Sequence, residues 1–227
     1  MHIWGRRVRS NAVVLFDIDG TLVRRSGPHH RQALSVAVRE IFGRDATTDG
    51  IPVHGMLDHD ILAAMLARVG VTEAEARLRM TELQLAAEEY YLRECPDLRH
   101  AACPGVRPLL ERLRLSQVPL ALVTGNFTRI GWRKLERAGL SQYFQFGAFA
   151  EMAPTRGELA ALAARELRAR GRVYLVGDAP SDIAAARANG FTAISVYTGV
   201  SSREDLAALA PDYLLKSLRW FKFSWLA

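Results

Sequence analysis

The second half of the chain alternates between short apolar segments and amphipathic segments. The apolar segments lack the polar alternation of a half-exposed strand, which is typical of strands buried in a parallel sheet. The segments between them carry apolar residues at the three- and four-residue spacing of helices that cover such a sheet. Strands are predicted within residues 118–124, 144–150, 172–178 and 192–199, and helices within residues 103–117, 128–140, 156–171 and 180–190.

One further apolar segment, residues 12–17, is separated from this series by a long helical block. Apolar residues at helical spacing predict helices within residues 28–43, 57–70 and 72–95. The last of these is predicted as one long helix that begins with a capping box formed by Thr72 and Glu75. Residues 25–98 thus show helical patterns and no pattern typical of a strand.

These patterns predict the fold class and the domains. Alternating strands and helices indicate an α/β protein with a doubly wound, Rossmann-like parallel sheet. The core is predicted to comprise residues 1–24 and 99–227. Residues 25–98 are predicted to form an all-helical cap domain, inserted after the first strand.

Composition and charge narrow the classes of partner. The chain has 227 residues, 49% of them apolar, and a net charge of +6. Nearly all of the basic residues are arginines dispersed among acidic residues, since lysine occurs only at positions 134, 216 and 222. No basic segment is interleaved with aromatic residues, so a nucleic-acid partner is not predicted. The positive field favours small anionic substrates.

The sequence also predicts a cytoplasmic protein without a membrane partner. No apolar segment has the length of a membrane span, and the basic N-terminal segment is a poor secretory signal because Asp17 interrupts its apolar part. Cys95 and Cys103 are too few for a disulfide framework, which favours a reducing compartment. The oligomeric state is not predicted.

Polar side chains follow three of the predicted strands. Asp17 and Asp19 follow the first strand, Thr124-Gly125-Asn126 follow the second, and Asp178 and Asp182 follow the fourth. Ligands of open parallel sheets bind beyond the carboxyl ends of the strands, so these residues are predicted to converge. Clustered carboxylates need a cation, and Mg²⁺ prefers oxygen ligands. A metal between Asp17, Asp19 and Asp178 is predicted to make the two acids after the first strand tolerable.

Three segments carry a family resemblance, namely "DIDGTL" at 17–22, "LVTGN" at 122–126 and "VGDAPSD" at 176–182. In this order they resemble the motifs of the haloacid dehalogenase superfamily of aspartate-nucleophile phosphohydrolases. The helical block resembles the cap of its phosphoglycolate phosphatase-like branch. The resemblance implies a Mg²⁺-dependent phosphatase that acts on a small phosphorylated metabolite through an aspartyl phosphate.

The resemblance also implies roles for the site residues. Asp17 is expected to be the nucleophile, and Asp19 the general acid and base. Asp17, Asp178 and the backbone carbonyl of Asp19 are expected to bind Mg²⁺, while Asp182 orients this shell. The phosphate-binding residues are expected to be Thr124, Gly125 and Asn126, at the N-terminus of a helix.

The family further implies a basic residue, usually lysine, between its second and fourth motifs. No lysine lies between positions 134 and 216, so Arg156 is the predicted phosphate-binding cation, and Arg165 is a poorer candidate. His54 and His59 are predicted to be solvated rather than metal ligands. For Asp58 a substrate contact and a purely structural role both stay open.

Two alternatives to a phosphatase remain from the sequence. A phosphomutase uses the same motifs but returns the phosphoryl group to a sugar. The second alternative is a binding protein that has the same fold but no catalytic activity. The presence of Asp17, Asp19 and Asp178 disfavours it.

Overall fold

The computed structural model describes residues 12–25 and 27–226. Within them lies a six-stranded parallel sheet in the order β3-β2-β1-β4-β5-β6. Its strands are β1 Val13–Phe16, β2 Leu120–Val123, β3 Phe146–Ala148, β4 Val173–Gly177, β5 Thr192–Val196 and β6 Tyr213–Leu215. The α/β class and the parallel sheet that the sequence predicts are confirmed.

Nine α-helices accompany the sheet in the described residues. They are α1 His29–Phe42, α2 Asp58–Arg68, α3 Glu73–Leu78, α4 Met80–Glu94, α5 Val106–Leu115, α6 Thr128–Ala138, α7 Arg156–Glu166, α8 Pro180–Ala188 and α9 Arg203–Ala208.

The strand order reverses at β1, the central buried strand. Val14 pairs with Leu120 of β2 on one side and with Tyr174 of β4 on the other. The chain builds β2 and β3 outward on the first side and β4 to β6 on the second, which is the doubly wound arrangement. Parallel strands end at the same edge of a sheet, so the residues that follow β1, β2 and β4 are neighbours. This edge is where the predicted site residues lie.

The segment between β1 and α5 forms four helices and, within its described residues, no strand. Helix α1 packs along α4. Gly43 ends α1 in a left-handed conformation (φ 63°), as its position after the last apolar residue predicts. We refer to residues 27–98, which contain α1–α4 and the loops between them, as the helical segment.

The prediction of one long helix from Thr72 is wrong. The capping box of Thr72 and Glu75 is present, but the helix stops at Leu78, and α4 begins at Met80. Arg79 between them has φ −102° and ψ 7°, outside the helical region. The short α3 packs on α2, whereas α4 packs chiefly on α1, and a single straight helix could not follow both partners.

Two C-terminal elements, α9 and β6, carry too few residues for a periodic pattern and were not predicted. The aromatic segment after β6 packs against the protein's own sheet, with the rings of Tyr213 and Trp225 stacked at 4.0 Å. No helix in the described part of the chain is long and apolar enough to cross a membrane. The predictions about the basic N-terminal segment fall on residues 1–11, outside the described residues.

Candidate active site

The loop after β1 carries the first two predicted site residues, Asp17 and Asp19. The Asp17 amide donates to the Val176 carbonyl of β4 (2.9 Å), so sheet pairing fixes its backbone at the sheet edge. Gly20 turns the chain with φ 90°, a left-handed conformation that favours glycine. A Cβ atom at Gly20 would also overlap the carboxylate of Asp178. The loop therefore lies directly against the residues that follow β4.

Asp17 pairs with a buried arginine at the start of α7. Arg156 donates from Nη1 to Asp17 Oδ1 at 3.1 Å and to Asp182 Oδ1 at 2.7 Å. Thr155 forms a capping box at the N-terminus of α7, which fixes where the Arg156 side chain leaves the backbone. Arg165, the other arginine considered from the sequence, is exposed in the last turn of the same helix. The structure thus brings Arg156, and not Arg165, to the predicted nucleophile.

Three buried carboxylates meet beside this arginine. Asp17, Asp178 and Asp182 each have an oxygen within 4.8 Å of the other two. Burial raises the pKa of Asp17 to about 7, although Arg156 acts in the opposite direction. Burial and the negative charges of Asp17 and Asp182 raise the pKa of Asp178 to about 8. Such shifts mean that the ionised cluster lacks a matching positive charge.

The donor set of this cluster fits a divalent cation. Asp178 Oδ2 is buried and has no hydrogen-bond donor in the described part of the chain. Carboxylate oxygens are the ligands that Mg²⁺ prefers, and a buried unpaired oxygen is costly without a partner. Asp182 is already engaged, because its Oδ2 also accepts from the Ala179 amide at 3.0 Å. The acceptor without a donor is therefore on Asp178.

Asp19 turns away from the acidic cluster and pairs with a lysine that the sequence reasoning missed. Lys134 Nζ in α6 lies 2.6 Å from Asp19 Oδ2 and 2.8 Å from Oδ1. Burial raises the pKa of Asp19, but the charge and hydrogen bonds of Lys134 and the hydrogen bond from Asn126 outweigh it and hold the pKa well below its usual range. Asp19 is therefore ionised at neutral pH.

This pair adds a protein cation to the explanation of the two acids after β1. The sequence suggested that a metal between Asp17, Asp19 and Asp178 makes them tolerable. In the structure each carboxylate has its own protein cation, Arg156 for Asp17 and Lys134 for Asp19. The sequence signal for Lys134 was its place on the apolar face of α6, whose buried residues are Ile130, Gly131, Lys134, Leu135 and Ala138.

The predicted phosphate-binding loop follows β2. The side chain of Asn126 is committed to the site itself, because Nδ2 donates to Asp19 Oδ2 (2.8 Å) and to Thr124 Oγ1 (2.6 Å). The Gly125 amide donates to no acceptor within the described residues. A Cβ atom at Gly125 would overlap the Met56 carbonyl oxygen and lie 3.2 Å from the Arg156 side chain. Of this loop, the Thr124 hydroxyl and the Gly125 amide are the groups best placed to bind a ligand.

The N-terminus of α6 is occupied by acidic side chains rather than open to an anion. The amides of Phe127, Thr128 and Arg129 donate to carboxylates at 2.9, 3.2 and 3.0 Å, respectively. The acceptors are Asp58 and Glu88 of the helical segment and Glu151 of the core. These contacts satisfy amides that a helix leaves without internal partners. These three amides are therefore not free to bind the phosphate expected at this helix end.

Asp58 and two histidines of the helical segment also reach the site. Buried Asp58 contacts His30 Nε2 at 3.0 Å, and its amide donates to the Gly125 carbonyl at 2.7 Å, so it joins the helical segment to the core. The prediction that His54 is solvated is wrong. His54 lies between Arg25 (2.8 Å) and Ser201 (2.9 Å), 3.7 Å from Asp178 Oδ2.

A cavity of about 210 Å³ lies between these groups. On the core side its lining includes the carboxylates of Asp17, Asp19 and Asp178 together with both buried cations. On the other side its lining includes Arg25, Arg31 and His30, the apolar residues Leu34 and Ile61, and the carboxyl group of Asp58.

Comparison with known families identifies the chain. The model of the haloacid dehalogenase-like hydrolase family matches residues 12–190. The chain belongs to this family. The resemblance drawn from its motifs, and with it the prediction of a hydrolase, is confirmed.

Individual relatives agree with the family. The phosphoglycolate phosphatase of Synechococcus elongatus is 30% identical over 206 residues, which cover 90% of this chain and 92% of the relative. The structure of CbbY from Rhodobacter sphaeroides with xylulose-1,5-bisphosphate matches with a TM-score of 0.72 and 20% identity, over 92% of this chain and 95% of that one. The β-phosphoglucomutase of Clostridium difficile matches with a TM-score of 0.71 and 18% identity, over 94% of each chain. These two structures show a shared fold.

The raised pKa values predict how stability depends on pH and Mg²⁺. Asp17 and Asp178 have folded-state pKa values above the ordinary 3.8, at about 7 and about 8. Their contribution to stability is fully present below pH 3.8 and is lost as pH rises through these values. The metal-free protein should therefore lose more stability between pH 4 and about pH 8 than the variant Asp178→Asn. Thermal unfolding at a series of pH values, in the presence of a chelator, measures this loss of stability in the wild type and in Asp178→Asn.

At the upper end of this range, added Mg²⁺ at a hundredfold excess over Kd should raise the free energy of unfolding of the wild type by about 3 kcal/mol, and with it the melting temperature. In Asp178→Asn most of this gain should be absent. Asp45→Asn, which removes a side chain that is 85% exposed, is the control and should respond to Mg²⁺ like the wild type. An equal gain in Asp178→Asn would show that the metal binds elsewhere.

Proposed function

We propose that this protein is a Mg²⁺-dependent phosphatase that hydrolyses a small phosphorylated metabolite through an aspartyl phosphate on Asp17. The observation that carries the proposal is the placement of Asp17. Its carboxylate lies at the carboxyl end of the central strand, bound by Arg156 and facing the cavity. A carboxylate held at this edge between fixed charges can serve as a nucleophile toward phosphorus.

The first chemical step forms a bond between an Asp17 oxygen and phosphorus and breaks the bond from phosphorus to the alcohol oxygen. Arg156 Nη2, the Gly125 amide and the Thr124 hydroxyl would stabilise the negative charge on the phosphoryl oxygens. The approach of Arg156 to Gly125 supports this role, because a Cβ atom there would lie 3.2 Å from Nη2. Arg156 therefore stands between the nucleophile and the loop that binds phosphate.

Asp17, Asp178 and the backbone carbonyl of Asp19 would hold Mg²⁺, which offsets the charge of the phosphate dianion when bound. Asp182 would orient this set, since Arg156 and the Ala179 amide already bind its carboxylate. The unpartnered Asp178 oxygen supports the assignment.

Asp19 would carry the proton. Hydrolysis of the aspartyl phosphate needs a base to remove a proton from water, and the pairing with Lys134 keeps Asp19 in the ionised form that this step uses. In the first step the same carboxyl would relay a proton to the departing alcohol oxygen, and because Asp19 is ionised in the free protein, it would have to take up that proton when substrate binds.

The helical segment would act as the cap that covers the substrate, residues 25–98 by the sequence boundaries. Arg25 and Arg31 in the cavity lining support a small substrate with a second anionic group besides the phosphate. The name of the Synechococcus relative makes 2-phosphoglycolate, a phosphorylated carboxylate, the first compound to test. The contacts of Asp58 and Glu88 with α6 hold the segment against the core and shield the site from water.

Phosphate release from an aryl phosphate and from 2-phosphoglycolate, with Mg²⁺ or with a chelator, tests the function. Asp17→Asn keeps the shape of the side chain but removes the nucleophilic charge, so turnover should fall by about a thousandfold or more. Asp45→Asn should keep wild-type turnover. Retained activity in Asp17→Asn would refute the mechanism, and transfer of the phosphoryl group to a sugar instead of water would indicate a mutase.

Arg156→Ala should lower kcat/KM by about a hundredfold, because a fixed charge near the phosphoryl oxygens is lost. Arg156→Lys should recover part of this, since a point charge also binds phosphate. Arg165→Ala removes an exposed arginine from the same helix and should leave kcat/KM unchanged. Steady-state kinetics give kcat/KM for all three variants. A wild-type kcat/KM in Arg156→Ala would show that Arg156 does not act on the phosphoryl group.

A further inference from the structure

We propose that Lys134 is a positioning residue, which fixes the Asp19 carboxylate in the active site and links it to the helical segment through His30. The inference rests on the proposed phosphatase function, within which it assigns a second cation that none of the sequence motifs contains.

The location of Lys134 is unusual for a lysine. Its side chain is 5% exposed and lies in the middle of the apolar face of α6, between Ile130 and Ala138. Burial of an ammonium group is costly unless acceptors surround it. The other two lysines, Lys216 and Lys222, are exposed. A buried lysine on this face therefore needs partners, and the structure supplies them from the active site.

The ammonium group has acceptors for all of its hydrogens. Besides the two oxygens of Asp19, it contacts Asn126 Oδ1 at 2.6 Å and His30 Nδ1 at 3.2 Å. An ammonium group has three donors, so none remains for a phosphoryl oxygen. This distinguishes Lys134 from Arg156, which faces the phosphate loop. Lys134 acts on the reaction through Asp19.

The Asp19 carboxylate is held by Lys134 and by Asn126. Asn126 Nδ2 donates to the same Oδ2 atom that Lys134 binds, and Lys134 in turn holds Asn126 Oδ1. The three side chains form a closed set of hydrogen bonds from three places, namely the loop after β1, the loop after β2, and α6. Removal of Lys134 would leave Asp19 with Asn126 alone and free to change its rotamer.

The third partner connects this set to the helical segment. A lysine can only donate, so His30 Nδ1 accepts and its Nε2 carries the hydrogen toward Asp58 Oδ2 at 3.0 Å. Asp58 also accepts from the Phe127 amide in the core. Movement of α1 and α2 away from the core would separate His30 from Lys134. The position of Asp19 is thus coupled to closure of the helical segment.

Lys134→Met tests the inference, with Lys222→Met as the control for loss of a lysine. Misplacement of a reacting group by about 1 Å can cost about a hundredfold in rate. We expect kcat for an alkyl phosphate to fall by about that factor in Lys134→Met. The KM and the inhibition constant of inorganic phosphate should change by less than about threefold, because Lys134 does not bind the phosphate. Lys222→Met should match the wild type.

A second variant separates positioning from general loss of structure. If Lys134 acts through Asp19, Lys134→Met should have little further effect on kcat in an Asp19→Asn background. This double variant also leaves no unpaired carboxylate beside the lost ammonium. Addition of a small alkylammonium ion to Lys134→Ala should restore part of the rate.

Results that would overturn the role of Lys134 differ from the result that would refute the phosphatase function. A raised KM with unchanged kcat would make Lys134 a phosphate-binding cation, and equal losses with and without Asp19 would show a role independent of Asp19. Either result, or unchanged kinetics in Lys134→Met, overturns the inference while the phosphatase function stands. A wild-type protein that releases no phosphate from any substrate would instead refute the proposed function.

Discussion

The pairing of each carboxylate after β1, the buried Asp17 and the partly buried Asp19, with its own cation is the interaction on which the site depends. Asp17 and Asp19 are two residues apart, yet they turn to Arg156 in α7 and to Lys134 in α6. Buried carboxylates without partners would be strongly destabilising. In the chain, α6 follows β2 and α7 follows β3. Both cations therefore come from helices that are distant in sequence from the two acids and are brought to them by the fold.

The same helix, α6, joins the site to the helical segment. Its first amides are bound by Asp58, Glu88 and Glu151, and Lys134 in its second turn holds Asp19. Two of the three acids come from the helical segment, so that segment neutralises the positive end of α6 only while it lies against the core. Substrate enclosure and the placement of Asp19 are thus connected through one helix.

Sequence patterns predicted the fold and the convergence of Asp17, Thr124 and Asp178, because strand ends and family motifs are local signals. Lys134 was missed because its partner Asp19 lies 115 residues away, and only its place on an apolar helix face indicated burial. The break at Arg79 was hidden because both halves share one helical periodicity, and packing alone separates them. The environment of His54 depends on Ser201, which is distant in sequence. Contacts between distant segments are what periodicity and composition do not contain.

Transfer of the phosphoryl group through Asp17 can be tested by trapping the aspartyl phosphate. Protein mixed with 2-phosphoglycolate or an aryl phosphate in the presence of Mg²⁺ would be quenched in acid during the first turnover, then digested and analysed by mass spectrometry. We predict a phosphorylated peptide that contains Asp17, sensitive to hydroxylamine as an acyl phosphate is, and absent without Mg²⁺. Release of phosphate at full rate with no phosphorylated Asp17 at any quench time would contradict the mechanism.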